Sequence, residues 1–348
     1  SGVPSMASTL LSPGVVIQER DLTLGSIETV EVNVGAIAGA FAKGPVKKPV
    51  RISSESELLS TFGEPNDSNY EAWFAASSFL AYGGVLDVVR ASGGSLKTAN
   101  VGGVSLTINS VEDYEGNYYD GTAAWDYASK SIGAGGNSIK VVAIDVGANQ
   151  RLTLSGSFVG SVSAGDTVTN GAGTKSAYVH YVSGTTLDII WISGGAWTTT
   201  DVVDDGSNPD LTIPSAVNWY DAQTITSTLN WNQVAPQPGT SAYVGERGGS
   251  NDEMHIVVVD VDGGVTGTPN TVLEKFLYVS KASDGKSAEG SLVYYPEVIL
   301  NQSNYIFWGS HDNEAIWDVS GNAFANASNF GGSSATAFDV LGEKEYTM

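Results

Sequence analysis

The segment that comes nearest to a nucleotide-binding loop is Ser280–Ser287, with the sequence Ser-Lys-Ala-Ser-Asp-Gly-Lys-Ser. A phosphate-binding loop begins with glycine and opens a helix whose N-terminal amides hold the phosphate. Here Ser280 stands in place of the first glycine, and the residues that follow, AEGSLVYY, form a glycine-interrupted β pattern. The segment is therefore interpreted as a polar hairpin turn, and no cofactor is expected.

Side chains for nucleophilic or metal-assisted catalysis are scarce. The chain has no cysteine, and its histidines, His180, His255 and His311, are far apart and lack the i, i+4 spacing of a metal-binding helix. No Gly-x-Ser-x-Gly nucleophile motif is present. His255 falls within a predicted strand, where a structural hydrogen-bonding role is the better interpretation. Because no acid–base pair can be assigned, the sequence does not predict an enzyme.

Acidic clusters are a further set of candidate ligands. Carboxylate and amide oxygens are the groups that calcium prefers, but the spacing departs from that of a helix–loop–helix calcium site. Solvated turns are the preferred interpretation and calcium binding is the alternative. The clusters are Asp201, Asp204, Asp205, Asn208 and Asp210; Asp260, Asp262 and Gly264; and Asn251, Asp252 and Glu253.

Two tryptophans, Trp191 and Trp197, are candidates for a sugar-stacking platform. The alternation of apolar residues around Trp191 also places aromatic side chains in a β core, and this second interpretation is favoured. Together with the acidic loops, the tryptophans leave one alternative function open, a secreted β-rich carbohydrate-binding or adhesin module.

Charge and hydropathy exclude several classes of partner. The 348 residues carry 16 Lys and Arg against 38 Asp and Glu, a formal net charge of −22. Such a surface repels phosphate, so neither nucleic-acid binding nor attraction to anionic membrane is expected. No run approaches the ~18 apolar residues of a membrane span. The length is typical of about two or three folded domains.

Helical patterns concentrate in one part of the chain. Residues 53–63 predict a capped helix that ends at a glycine, and residues 69–82 predict an amphipathic helix. Apolar strand patterns flank them at 32–41 and 85–91. The segment is thus predicted to be a βααβ unit whose two strands are parallel. Two strands do not complete a sheet.

The rest of the chain is glycine-punctuated and β-rich. Two nearly continuous apolar runs, VVAIDV and HIVVVDV within residues 138–146 and 254–261, predict central strands that are covered on both faces. Residues 155–214 alternate short strands with polar turns and show no helix pattern, which is typical of a small antiparallel barrel or sandwich.

These patterns predict an α+β, multidomain and β-rich fold. It comprises a βααβ half-domain, an α/β sandwich-like domain and an inserted small antiparallel β-barrel. Residues 1–5, before Met6, are interpreted as a cloning remnant. The predicted divisions are an extended arm at 6–24, the half-domain at 25–95, an outer α+β domain at 96–154 and 215–335, the insertion at 155–214, and a C-terminal tail at 336–348.

Four segments in the first hundred residues resemble the opening of a contractile-tail phage sheath protein, in the order and at the spacing of that family. Beyond residue 100 the resemblance lies in the order of parts, with Tyr294–Phe307 matching the end of the outer insertion. The four segments are Leu10–Arg20 (LLSPGVVIQER), Gly35–Pro45 (GAIAGAFAKGP), Glu57–Pro65 (ELLSTFGEP) and Phe79–Ala91 (FLAYGGVLDVVRA).

The resemblance implies a structural subunit that polymerises as six-fold rings around a tail tube and contracts to drive the tube through the host envelope. The implied partners are other sheath subunits, tube and baseplate proteins, and the implied location is the virion tail after assembly in the host cytoplasm. A sheath of a non-phage contractile injection system is the alternative within this resemblance.

The arm would pair with strands of neighbouring subunits, which makes Pro13, Gly14, Val15, Val16 and Ile17 the expected inter-subunit residues. Family members continue beyond the equivalent of Met348. We therefore expect a fragment without the C-terminal region, and a monomeric one.

Overall fold

The structure is a computed structural model that describes residues 33–92, 96–158, 162–207, 209–311 and 343–348. In these ranges the chain forms 19 strands in five sheets together with five α-helices, which confirms a strand-rich mixture of helix and strand. None of these helices is both long enough and apolar enough to cross a lipid bilayer.

The elements follow one another in chain order. The helices are α1 (Glu55–Phe62), α2 (Tyr70–Ala81), α3 (Val111–Asn117), α4 (Ala242–Gly245) and α5 (Tyr295–Gln302). The strands are β1 (Val34–Gly39), β2 (Pro49–Ile52), β3 (Val85–Arg90), β4 (Thr98–Asn100), β5 (Thr122–Ile132), β6 (Ile139–Ile144), β7 (Gln150–Thr153), β8 (Thr167–Asn170), β9 (Ser176–Ser183), β10 (Thr186–Ser193), β11 (Val202–Asp204), β12 (Leu211–Thr212), β13 (Ser215–Asn218), β14 (Thr224–Thr226), β15 (Leu229–Asn230), β16 (Glu253–Asp260), β17 (Thr271–Ser280), β18 (Ile306–Ser310) and β19 (Glu343–Thr347).

Residues 33–92, here called the first unit, contain a three-stranded sheet with β3 in the middle. The pairing of β3 with β1 is parallel, as the sequence predicts, and its pairing with β2 is antiparallel. The prediction of only two strands was therefore wrong. The missed strand, β2, has four residues and begins with a proline, so its alternation is too short to be recognised.

Both helices of the first unit follow the predicted pattern. Helix α1 begins after Ser54, whose side-chain oxygen accepts a hydrogen bond from the N–H of Glu57 at 3.2 Å. It ends at Gly63, which has φ +81°. Helix α2 buries Trp73 and Leu80 in one core with residues of α1, β2 and β3. The two helices therefore cover one face of the three-stranded sheet.

Strands β6 and β16 occupy the centre of a four-stranded sheet in the order β17-β16-β6-β19. Alternate residues serve two cores: Val141 and Ile256 pack with Tyr295 on one face, and Val142 and Val257 belong to a second core. The prediction of central strands covered on both faces is confirmed.

Strands β7–β13 form a separate antiparallel sheet whose two ends approach each other. The N–H of Ser155 donates to the carbonyl of Thr212 at 2.9 Å, and the N–H of Thr212 donates to Ser155 Oγ at 3.1 Å. The described residues of 155–214 contain strands and no helix, as expected. Strands β7 and β13 lie outside that range, so the curled sheet is larger than the sequence pattern alone indicates.

The remaining large sheet has the order β18-β5-β4 and packs with α3 and α5. The phenol of Tyr114 on α3 stacks on Phe307 with ring centroids 4.2 Å apart and donates a hydrogen bond to the carbonyl of Trp308. Helices α3 and α5 have seven and eight residues. The sequence does not predict these two helices, because a helix of about two turns gives too little apolar periodicity.

A buried ion pair closes one end of the central sheet. Lys281, directly after β17, places its Nζ 2.7 Å from Asp145 Oδ2, and both side chains are fully buried. The same Nζ donates to the carbonyl of Asn251 at 3.1 Å. Removing one member of such a pair leaves a charge without its counter-ion in a low-dielectric environment.

We predict that Lys281→Ala lowers the free energy of unfolding by roughly 3–5 kcal/mol, because Asp145 is left buried without its partner. Urea denaturation followed by circular dichroism measures the change. Lys275→Ala is the matched control, since Lys275 lies on β17 with an exposed side chain and should change stability little. Equal losses in the two variants would contradict the prediction.

The edge strand β19 carries a carboxyl group that binds its proton unusually tightly. Burial, and then the charge of Glu345, raise the pKa of Glu343 from its ordinary 4.5 to about 7, while Lys140 and Arg151 oppose this. Between pH 4.5 and 7 the unfolded chain has released this proton and the folded chain still holds it. The contribution of Glu343 to the free energy of unfolding is therefore greatest below pH 4.5, and it declines as the pH rises to about 7.

We predict that amide protection factors of β19 fall as the pH rises from 4.5 to 7, and that Glu343→Gln removes the dependence. Hydrogen exchange, corrected for the intrinsic rate at each pH, measures this. Glu246→Gln is the control, because Glu246 is exposed and lies outside the sheet that contains β19, so this variant should keep the dependence. A dependence retained in Glu343→Gln would show that another group controls β19.

Candidate functional site: an open sheet and an arginine junction

His255 has the structural role that the sequence predicts. Its Nδ1 accepts a hydrogen bond from the N–H of Tyr278 at 3.0 Å, which leaves Nε2 to donate to the carbonyl of Pro236 at 2.9 Å. Burial lowers the pKa of this imidazole. A neutral ring with both nitrogens bonded to backbone groups cannot act as a catalytic base.

The other two histidines are also neutral at pH 7. Burial lowers the pKa of His180 and of His311 to about 4 in each case. The ring nitrogens of His311 lie 3.0 and 2.6 Å from the hydroxyl oxygens of Tyr294 and Tyr295. Across the described ranges, no group of three or more His, Asp or Glu side chains is arranged to hold a metal ion.

The oxygens of the acidic loops are occupied by hydrogen bonds from the protein. Burial raises the pKa of Asp201, but hydrogen bonds from Lys175, Thr198 and Asn170 outweigh it and hold the pKa below its usual range. Asp260 accepts hydrogen bonds from three loop N–H groups and from the hydroxyl of Thr266. These contacts agree with a turn role, and Asn208 lies outside the described residues.

The segment Ser280–Ser287 has no feature of a phosphate loop. Ser280 donates its hydroxyl to Asp252 at 2.5 Å, and Lys281 is held by the buried pair with Asp145. Residues 280–287 end strand β17 and continue as turns and an isolated bridge rather than a helix. Its interpretation as a polar turn agrees with this geometry.

The two tryptophans lie in different environments. Trp197 is buried in the core of the curled sheet, as predicted, but Trp191 is 38% exposed, so a core position was wrong for it. The register between β10 and β9 is continuous from Ile189 to Trp191 and shifts after it, between Trp191 and Ser193. The indole N–H of Trp191 donates to Gln150 Oε1 at 3.3 Å.

The described residues leave one face of the first unit's sheet uncovered. Ile37 faces the core under the helices, and Gly35 lies against Phe79 of α2, so Val34, Ala36 and Ala38 point to the opposite side. All three are exposed, Val34 at 56%.

An ion pair interrupts this apolar face. On it, Arg51 of β2 makes two hydrogen bonds of 2.9 and 3.0 Å to the carboxylate of Asp87 on β3. The open face is therefore a small apolar surface with one exposed charged pair.

The same sheet has an edge available for pairing. Among the described residues β1 has one strand neighbour, β3, so the backbone groups on its other side point away from the sheet. An edge of this kind is a template for a strand of another chain or segment. The predicted arm residues Pro13, Gly14, Val15, Val16 and Ile17 lie outside the described residues.

Arg90, the last residue of β3, lies where the first unit meets the rest of the chain. Its side chain is 5% exposed. The guanidinium donates to the carbonyls of Phe41 and Gly44 at 2.9 Å and of Ala42 at 3.2 Å. A fourth hydrogen bond, of 2.9 Å, reaches the carbonyl of Ile132 at the end of β5. The sequence shows an arginine at the end of a strand but does not show that it binds carbonyls of the 41–44 loop and of β5.

Comparison with known proteins gives relatives of one kind. No protein-family model matches the chain. The tail sheath protein of Salmonella phage ViI is 23% identical over 320 residues, covering 85% of this chain and 49% of that protein. Tail sheath proteins of Vibrio phage KVP40 and Enterobacteria phage T4 are 39% and 35% identical over 83 residues, covering 24% of this chain and 12% of each relative.

The chain spans about half the length of the relative that it matches most extensively. Among solved structures, the sheath tail protein of Listeria innocua matches 54% of this chain and 33% of that chain, with 16% identity and a TM-score of 0.22.

Proposed function

We propose, because the chain is homologous to the tail sheath proteins of contractile-tailed phages, that it acts as a structural subunit of a phage tail sheath. The relatives are structural tail proteins rather than enzymes. The observation that carries the proposal is the match to the ViI protein over 85% of the chain. The side chains of His255, Lys281 and Asp260 support it as well, because each is held in a structural role by hydrogen bonds within the protein.

The proposal extends to assembly. Subunits polymerise in six-fold rings around the tail tube, with tube and baseplate proteins as partners, and contract to drive the tube through the host envelope. The subunit belongs to the virion tail and is assembled in the host cytoplasm. In physical terms the contracted lattice has the larger sum of favourable contacts between subunits, and a barrier holds the extended lattice until a trigger acts.

The uncovered parts of the first unit support this role. A sheet that is covered by helices on one face and exposed on the other has room for a third layer. We propose that further sheath polypeptide covers the open face of Val34, Ala36 and Ala38. A neighbouring subunit's arm, residues Pro13 to Ile17, is proposed to add a strand to a sheet edge of the next subunit.

A carbohydrate-binding or adhesin module has weaker support. Of its two candidate aromatic residues, Trp197 is buried. Its candidate calcium ligands Asp201 and Asp260 are occupied by hydrogen bonds from the protein. The relatives reported above carry no binding role in their names.

Immunogold electron microscopy of the phage that encodes this chain tests the proposal. We expect antibodies raised against the purified chain to decorate the outside of the tail along its length. In contracted particles the labelled length should shorten. Antibody absorbed with the chain beforehand is the control. Label restricted to fibres, baseplate or head, or no label on tails, would refute the sheath role.

We also predict that the purified chain is monomeric, because a short strand added by an arm is too small a contact to hold two copies together on its own. The open face consists of small residues interrupted by the Arg51–Asp87 pair, and copies with a net charge of −22 repel one another. Sedimentation velocity at about 0.15 M salt, where repulsion is screened beyond roughly 8 Å, should give one species at the monomer mass. A sedimentation coefficient that rises with protein concentration would contradict this prediction.

A further inference from the structure

The first unit does not share a hydrophobic core with the rest of the described chain. The members of its core, Phe41 to Val88, all lie within residues 33–92. The other clusters of the described residues draw their members from residue 101 onward. Each cluster of buried apolar side chains therefore lies within one part and stabilises that part.

Polar contacts between described residues join the two parts. The N–H of Val46 donates to the carbonyl of Asn109 at 3.3 Å, and Lys48 pairs with Glu112. The side chains of that ion pair are 47% and 62% exposed, and exposed pairs contribute little. The third contact is the hydrogen bond from Arg90 to Ile132, which is buried and involves a charged donor.

Arg90 is held so that it contacts both parts at once. Three of its acceptors belong to the loop of residues 41–44, and one belongs to the end of β5. The conformation of this loop requires glycine at position 44. Gly44 has φ +97°, and an added Cβ atom would lie 2.8 Å from the carbonyl oxygen of Thr61. On the other side, Gly133 has φ +102°, and an added Cβ atom would contact Arg90 Nη2 at 3.5 Å.

The chemistry of the guanidinium explains why arginine is needed. Its N–H groups are fixed in a planar fork, so they reach acceptors in several directions without rearrangement. The ammonium of lysine is one point of charge on a flexible stem and cannot reach carbonyls of both parts with the same geometry. In the hydrogen bonds of the described residues, the acceptors of Arg90 are backbone carbonyls, so the contact depends on the position of the two backbones.

We infer that Arg90 is a positioning residue that fixes the orientation of the first unit relative to the sheet containing β5, so that the two move as one body. This inference rests on the contacts alone and stands whether or not the sheath role is correct. In a sheath subunit, the same contact would make a rotation of the first unit carry the outer sheets with it.

The test uses the absence of cysteine in the chain. Cysteines introduced at two exposed positions, Ser78→Cys on α2 and Gln302→Cys on α5, carry spin labels on the two parts. Pulsed dipolar spectroscopy then measures the distribution of distances between them. The background variant should give one narrow distribution. Arg90→Met, which keeps most of the side-chain volume but removes the donors, should give a broadened or displaced distribution.

Arg51→Met is the matched control. Arg51 lies on the neighbouring strand of the same sheet and pairs with Asp87 within the first unit. The Arg51→Met variant should leave the distribution of distances between the two spin labels unchanged. A narrow, unshifted distribution in Arg90→Met, or the same broadening in Arg51→Met, would overturn the inference.

Arg90→Lys with hydrogen exchange covers the case in which Arg90→Met fails to fold. Loss of the shared contact should speed exchange by about tenfold or more in residues 41–46 and 132–134, and leave the amides of α2 and β16 unchanged. If Arg90 only stabilised the first unit locally, exchange would instead rise throughout 33–92 and stay unchanged at 132–134. That second pattern would refute a positioning role.

Discussion

Two adjacent strands that each serve two cores constrain the larger part of this chain. Because β6 and β16 bury alternate residues on opposite faces, every neighbouring element must pack on one side or the other of their sheet. Helix α5 and the β5 sheet take one side, and the Trp219–Trp231 region takes the other. The Lys281–Asp145 pair then fixes the end of the sheet. Substitutions at successive positions of β6 or β16 therefore affect the two cores in turn.

The first unit obeys a different constraint. Its helices cover one sheet face, and the other face and the β1 edge are left uncovered by the described residues. Apolar burial accounts for its internal stability but not for its placement, because no described core spans the boundary. Placement depends on directional hydrogen bonds, of which those of Arg90 are the most buried. Hydrogen bonds of this kind fix the relative position of the groups that they join, and their contribution to the free energy of unfolding is smaller.

Sequence reasoning succeeded where one periodicity extended over many residues. The apolar runs of β6 and β16 and the twelve-residue helix α2 were predictable in type and position. It failed for β2, α3 and α5, which are too short to show a period, and for Trp191, which is partly exposed although the alternation of its strand predicts a core position. The role of Arg90 was beyond prediction because its partners are backbone carbonyls, which have no signature in the side-chain sequence.

In the described residues, the polar side chains that could do chemistry are hydrogen-bonded within the protein, whereas some backbone groups at a sheet edge are not. This difference determines what kind of function these residues can support. The groups that would do chemistry, such as the imidazole of His255 and the ammonium of Lys281, are held in buried hydrogen bonds. Unused bonding capacity in the described residues includes the backbone edge of β1, which adjoins the exposed face of Val34, Ala36 and Ala38. An edge and a face are completed by polypeptide rather than by a small molecule. A partner bound there acts on the whole subunit only if the first unit is held firmly, and the carbonyl contacts of Arg90 meet that requirement.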